Sequence, residues 1–273
     1  MSAAAQSPAA PGAVPALLGR IGDRVEEYFA HARSILCIET VRLQPLGPDF
    51  VPDGHARQLV FELRVAWDPA PDPASPPEAT ILREIRTING RPPGPRDEPG
   101  CTDPRSVSPE PLAFLLPDRR DRYAFSWAGT RRAGSRGTVL LDYRPANSDP
   151  PDFTWRGDCV SVSLPAQTRG RVWADIETDM VVRLDERLTG PFSFRIPPEH
   201  RHPSGPLWLE IERADSSIRY KPVTFHDPDE TLMLPESIQT VTVIRGASQP
   251  RLRTSHVFSG YKRFVTDARI VRE

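Results

Sequence analysis

Between Arg57 and Trp67 the chain alternates side by side: Leu59, Phe61, Leu63 and Val65 fall on one face, and Gln58, Val60, Glu62 and Arg64 on the other. A period of two belongs to a β-strand with one face in a core. Residues 35–43 and 79–88 read the same way, and the latter run ends in Asn89-Gly90, a strong turn pair. The stretch 169–188 predicts a hairpin. Val172, Ala174 and Ile176 share one face, with Trp173 and Asp175 opposite; Glu177-Thr178-Asp179 supplies the turn; Val182, Leu184, Glu186 and Leu188 share the face of the returning strand, with Val181, Arg183, Asp185 and Arg187 behind them. Trp173 among polar neighbours is the exception, an amphipathic ring suited to a sheet edge or a ligand.

A helical period occurs once at length. Leu17, Leu18, Ile21, Val25, Tyr28, Phe29 and Ala32 form one apolar stripe and predict a helix from about Pro15 to Ser34, with Pro15 in its first turn. A shorter helix is expected over 108–118, with Ser108 as N-cap, Pro117 as stop and Leu112, Leu115 and Leu116 on its apolar side. From Arg122 onward strands follow closely. Tyr123, Phe125 and Trp127 share a face, as do Val139, Leu141 and Tyr143. Residues 192–197 read as a loop or short strand. The run 206–225 reads as a hairpin turning at Asp215-Ser216, and 236–245 and 251–264 as a long pair closed by 268–271. Short strands and tight turns mean an antiparallel meander, here of about ten to twelve strands, which must curl or close. The expected fold is mainly β (α+β): a large curved antiparallel sheet forming an open half-barrel, with the N-terminal helix and a short second helix on its concave face. Residues 1–14 are expected as an unstructured lead-in and 15–273 as one half-barrel domain.

Composition adjusts this picture little. The 32 prolines cut the chain into short segments and disfavour long helices. A net charge of −1 gives no general pull toward nucleic acid or membrane surfaces. Of 35 basic residues only Lys221 and Lys262 are lysine. Arginine suits phosphate binding, but acidic residues are interleaved with the arginines throughout, which favours GC-rich codon usage as the reason. No apolar run reaches the length of a membrane span, and no charged start precedes an apolar signal core. Ala3-Ala4-Ala5 before Gln6 resembles what remains around a signal-peptidase site. Three cysteines allow three single disulfides. Cys101–Cys159 is favoured because both flank loops, and it would need an oxidising compartment; Cys37, inside an apolar strand, reads as a small buried hydrophobe.

An N-terminal amphipathic helix, a long run of antiparallel strands and a helical plug resemble the bacterial outer-membrane lipoprotein carrier and lipoprotein-localisation family. The residues carrying the resemblance are GRVWADIETDMVVRLD (170–185), similar to a hairpin frequent in such proteins, and PVTFHDPDETLMLPESI (222–238), similar to segments of envelope proteins of this half-barrel type. The resemblance implies a periplasmic or secreted chain that holds a lipid or lipidated protein on its concave face without catalytic residues.

Candidate chemistry is sparse. His200 and His202 lie in a Pro-rich loop without two further ligands nearby, and His226, Asp227, Asp229 and Glu230 miss the spacing of a calcium loop. Ser216, His226 and Asp215 make a hydrolase triad only on paper, since no nucleophile elbow is present. No Gly-rich phosphate loop appears, and no cofactor or metal is expected. The aromatic residues, with Trp155 and Trp208 among them, could instead line a groove; Phe61, Leu63, Tyr123, Phe125, Trp127, Tyr143 and Trp173 are its candidates. The sequence thus predicts a non-catalytic envelope protein binding a lipid or lipidated partner. The alternatives are an interaction module using the outer sheet face or edge, with another envelope protein as its partner, and a metal-dependent enzyme centred on His226.

Overall fold

A computed structural model describes residues 13–31, 35–67, 79–95, 97, 110–133, 136–156, 159–226, 229–247 and 250–263. The helix α1 (Ala13–His31) buries Leu17, Leu18, Ile21, Val25 and Tyr28, the stripe expected from the spacing. Then come β1 (Ile35–Pro45), β2 (Arg57–Trp67) and β3 (Ala79–Ile88), a 3-10 segment at Glu110–Leu115, β4 (Tyr123–Ala133), β5 (Arg136–Pro145), β6 (Asp152–Arg156), β7 (Cys159–Ser163), β8 (Thr168–Asp175), β9 (Val181–Leu188), β10 (Phe192–Arg195), β11 (Trp208–His226), β12 (Asp229–Arg245) and β13 (Arg251–Arg263).

Eleven strands form one antiparallel sheet in the order β3-β2-β1-β13-β12-β11-β9-β8-β5-β4, with β10 on the early part of β11; β6 and β7 form a separate hairpin. The end strands β3 and β4 do not pair, so the curled sheet stays an open half-barrel. Its concave face holds the main core. Ile35, Cys37, Leu63, Val139, Leu141, Val172, Leu184, Ile218, Leu234 and Phe258 point inward from the strands and meet the α1 stripe and the plug residues Leu112, Phe114 and Leu115. Gly22 lets α1 approach the plug, because a Cβ there would lie 3.1 Å from the Leu115 carbonyl oxygen.

The expected short helix is present as a 3-10 segment with Pro111 inside it, and Phe114 joins its buried side, while Ser108 lies outside the described residues. Three local expectations are corrected. The run 206–225 is no hairpin: Asp215 and Ser216 sit in mid-strand, flanked by Arg187 and Glu186 of β9 on one side and by Val241 and Thr240 of β12 on the other. Irregularities at Ile211/Arg213 and Arg219/Tyr220 reset the alternation, so one bent strand of 19 residues reads as two. In the hairpin 168–188 a bulge at Trp173/Ala174 brings Val181 rather than Val182 inward with Leu184. Ile176 passes into the turn and is exposed, while the Asp175 carboxylate accepts from the backbone N–H groups of Glu177 and Thr178. Residues 68–78, 101–109 and 264–273, with the expected strand 268–271, lie outside the described residues.

Candidate functional site

The strands bring several predicted groove residues together. Tyr143 on β5 and Tyr123 and Phe125 on the neighbouring edge strand β4 form an aromatic cluster with Phe114 of the plug, with Phe114–Tyr143 centroids 4.4 Å apart and Phe114–Tyr123 5.3 Å apart. Trp127 packs against the same core. The cluster has one polar handle: the Tyr143 hydroxyl donates to Glu186 at 2.5 Å. Burial, with the nearby Glu186 charge, pushes the Tyr143 pKa up, and burial raises that of Glu186, partly offset by the Tyr143 hydrogen bond. Gly170 is fixed by this ring, since a Cβ there would lie 2.6 Å from the Tyr143 hydroxyl.

Leu63 and Phe61 lie on β2, toward the other end of the sheet. Leu63 belongs to the main core; Phe61 joins Val41 and Leu59 in a second small cluster. Between the clusters sits a buried polar group. Glu39 is fully buried, accepts from Arg83 at 2.9 Å and lies 2.6 Å from His256 Nδ1, while the Arg83 guanidinium stacks 3.7 Å over the Phe61 ring. Each carboxyl oxygen of Glu39 thus has a fixed polar partner, the condition under which a buried carboxyl group is tolerated. Nothing in the spacing of Glu39, Arg83 and His256 announces this set, because strand pairing across β1, β2, β3 and β13 creates it.

Trp173 is not in the groove. Its neighbours Val172 and Ala174 point inward, so it stands on the outer face, where its indole N–H donates to Asp185 (3.2 Å) and Arg183 lies over its ring. Trp155 stacks on His200, and Trp208 is exposed. Metal and triad readings do not assemble either. His202 Nδ1 contacts Ser204, and His226 faces Asp229 on the surface; among the described residues no three His, Cys, Asp or Glu side chains converge. His226 lies ten residues along β11 from Ser216, roughly 33 Å of extended chain. Asp227 lies outside the described residues. Cys37 is free and buried, its thiol pushed up to about 12 by burial. Cys159 is in a disulfide, and its expected partner Cys101 lies outside the described residues.

A cavity of about 240 Å³ opens beside α1 and was not among the predicted positions. Val25, Tyr28, Leu112, Val181, Leu232 and Met233 wall it, and Arg24, Glu27, His31 and Glu230 ring its mouth. Val25 and Tyr28 were visible as part of the helical stripe. Leu232 and Met233 lie in the singled-out segment 222–238, but only the fold places them against the helix. The polar ties of α1 run from exposed helix side chains to partly buried partners: Arg20 to Asp179 (2.8 Å), Arg24 to the Thr178 carbonyl (3.2 Å), and His31 to Glu230, which also pairs with Arg263. Inside, the hydroxyls of Tyr28 and Tyr220 are buried without a hydrogen-bond partner among the described residues.

No protein-family model matches the chain, and no curated protein matches it. Solved structures are similar to it over nearly their whole length at low identity. A LolA superfamily protein from Nitrosomonas europaea is 11% identical, with 94% of this chain and 97% of that chain covered and a TM-score of 0.35. A DUF1329 family protein from Desulfovibrio piger is 9% identical, with 93% and 95% covered and a TM-score of 0.45. An outer membrane lipoprotein-sorting protein domain from Vibrio parahaemolyticus, itself described as putative in its name, is 7% identical, with 92% and 94% covered and a TM-score of 0.45.

Proposed function

We propose that the chain is a non-catalytic protein of the bacterial envelope, periplasmic or secreted, that receives the acyl chain of a lipid or lipidated partner between α1 and the concave face. The observation that carries this reading is the apolar cavity of about 240 Å³ walled by Val25, Tyr28, Leu112, Val181, Leu232 and Met233. Cavities that engulf a drug-sized ligand run about 300–1,000 Å³; this one suits the end of an apolar chain. Each methylene buried there would contribute about 0.8 kcal/mol. In the ion pairs that tie α1 down the helix's own partners, Arg20 and His31, are exposed, and such pairs are worth about 0–1 kcal/mol each, so the helix is held mainly by its apolar stripe, which an acyl chain can replace. Tyr123, Phe125, Trp127, Tyr143 and Leu63 would continue the apolar wall beyond the cavity.

The test is native mass spectrometry of the protein prepared gently from a bacterial periplasm, with solvent extraction of any adduct, together with titration of a dansyl-labelled fatty acid. A stoichiometric lipid adduct and saturable probe uptake are expected, and Val181→Phe, which fills the cavity, should abolish uptake while the chain stays folded. A clean apo mass and no saturable uptake would overturn the reading.

A further inference from the structure

The strands that wall the interior carry a second concavity on their outer side, a groove of about 730 Å³ across β4, β5, β8, β9 and β11. In one row of its lining every carboxylate has an arginine of its own. Asp142 takes both prongs of Arg171 at 2.5 and 2.9 Å, and Asp185 takes Arg183 at 2.8 Å together with the Trp173 indole. At the far side Asp215 takes Arg213 at 2.6 Å.

The adjacent row is different. Tyr143 stands opposite Gly170, so Arg144 falls beside Arg169, and Arg169 is directly opposite Arg187. By strand parity all three project to the same side as Asp142, Arg171 and Asp185, and all three are exposed. None of them has an ion-pair or hydrogen-bond partner among the described residues. Arg187 is also opposite Asp215, but that carboxylate is held by Arg213 on its own strand. The interleaving of acids and arginines that explains the composition elsewhere fails here. Like charges directly opposite on neighbouring strands destabilise a sheet, and no ion pair or hydrogen bond among the described residues makes use of this row.

Its geometry selects a class of ligand. Neighbouring strands lie about 4.8 Å apart, whereas same-face side chains of an extended peptide repeat at about 6.7 Å. The row therefore matches anions closer together than the acidic residues of a peptide strand. The guanidinium fork pairs two-pronged with phosphoryl oxygens. We propose that Arg144, Arg169 and Arg187 form a binding site for a ligand bearing two or more closely spaced phosphoryl groups, either a soluble oligophosphate or a diphosphate lipid headgroup. The site is on the outer face and does not depend on the apolar cavity.

The experiment uses the full chain and two probes: inorganic tripolyphosphate by isothermal titration calorimetry, and phosphatidylcholine vesicles with and without cardiolipin by cosedimentation. The variants are Arg169→Gln/Arg187→Gln in the groove and Arg64→Gln/Arg86→Gln, which removes the same charge from the outer face of β2 and β3. Loss of two charge-assisted contacts should weaken binding at least about tenfold in the groove variant and leave the control near native. The thermal midpoint of the groove variant should hold or rise, which separates lost binding from lost structure; Arg144→Gln provides a second, milder variant. Saturable binding of tripolyphosphate assigns a soluble ligand; binding confined to cardiolipin vesicles assigns a headgroup. If the native chain binds neither probe, or if both double variants weaken binding alike, the proposal is wrong.

Discussion

The hairpin of β8 and β9 shows two surfaces built by alternate residues of the same two strands. Its inner side carries Val172, Ala174, Val181 and Leu184 into the core and sets Gly170 under the Tyr143 ring. Its outer side carries Arg169, Arg171, Trp173, Asp185 and Arg187. The inner side is specified by shape: each position tolerates little change in volume and no charge. The outer side is specified by pairing, with Arg171, Arg183 and the Trp173 indole matched to carboxylates until the pattern stops at Arg169 and Arg187. Each side thus has its own kind of incompleteness. Among the described residues, two tyrosine hydroxyls of the core behind the inner side, those of Tyr28 and Tyr220, lack partners, and a row of arginines on the outer side does.

The largest expected effect tests that division directly. Val172→Asp puts an unpaired carboxylate where the native side chain is fully buried. It should cost on the order of 3–5 kcal/mol or prevent folding. Arg169→Asp, three residues earlier on the exposed side, should change stability by no more than about 1 kcal/mol, and upward, since it faces Arg187. Urea denaturation of both variants measures the contrast, and similar losses would mean that the two faces are not separately specified. A smaller loss follows from crowding. Gly170→Ala forces a methyl against Tyr143 and the Asp185 backbone and should cost about 1–3 kcal/mol in the same assay, with near-ultraviolet circular dichroism reporting the displaced tyrosine.

Much of this division was legible in alternation. The inward set on β2, the stripe on α1 and the outward position of Trp173 all follow from period two or period 3.6. Trp173 is nonetheless a groove candidate on the size of its aromatic side chain, although its parity turns it to the outer face. The opposite error hid the cavity. Val181 entered the core only through a bulge, and Leu232 and Met233 became its wall only because β12 runs beneath α1. The same kind of irregularity split β11 into an apparent hairpin. Long-range pairing also made the Glu39–Arg83–His256 group, whose members are 44 and 217 residues apart in the chain. Alternation encodes faces; it does not encode which strands become neighbours.

Glu186 sits where the inner side becomes polar, and its response to pH sharpens the comparison. Burial raises its folded-state pKa above the unfolded value. Its contribution to stability is therefore fully present below the ordinary glutamate range, near pH 4.3, and is lost as pH rises through the folded value. Glu186→Gln keeps an acceptor for the Tyr143 hydroxyl without the charge. It should be more stable than the native chain at neutral pH, with the difference vanishing under acid conditions. Thermal midpoints across that range check the sign, and a variant less stable at neutral pH would place Glu186 with the paired carboxylates of the outer face.

The smallest effect concerns the arginine row. Arg187→Gln removes one of two like charges set directly opposite each other while leaving the other pairs of the hairpin in place. If the row is held for a ligand rather than for the fold, stability should rise by about 0.2–1 kcal/mol at low salt. The gain should shrink as salt is added, because exposed charges are screened over a Debye length of about 10 Å at 0.1 M. Urea midpoints at low and high ionic strength make the measurement. A loss of stability that persists in high salt would mean that the arginine stem packs against the sheet, so that structure alone accounts for its presence there. A gain would leave the row as a feature that the fold tolerates rather than uses, which is the expected condition of a surface kept for binding.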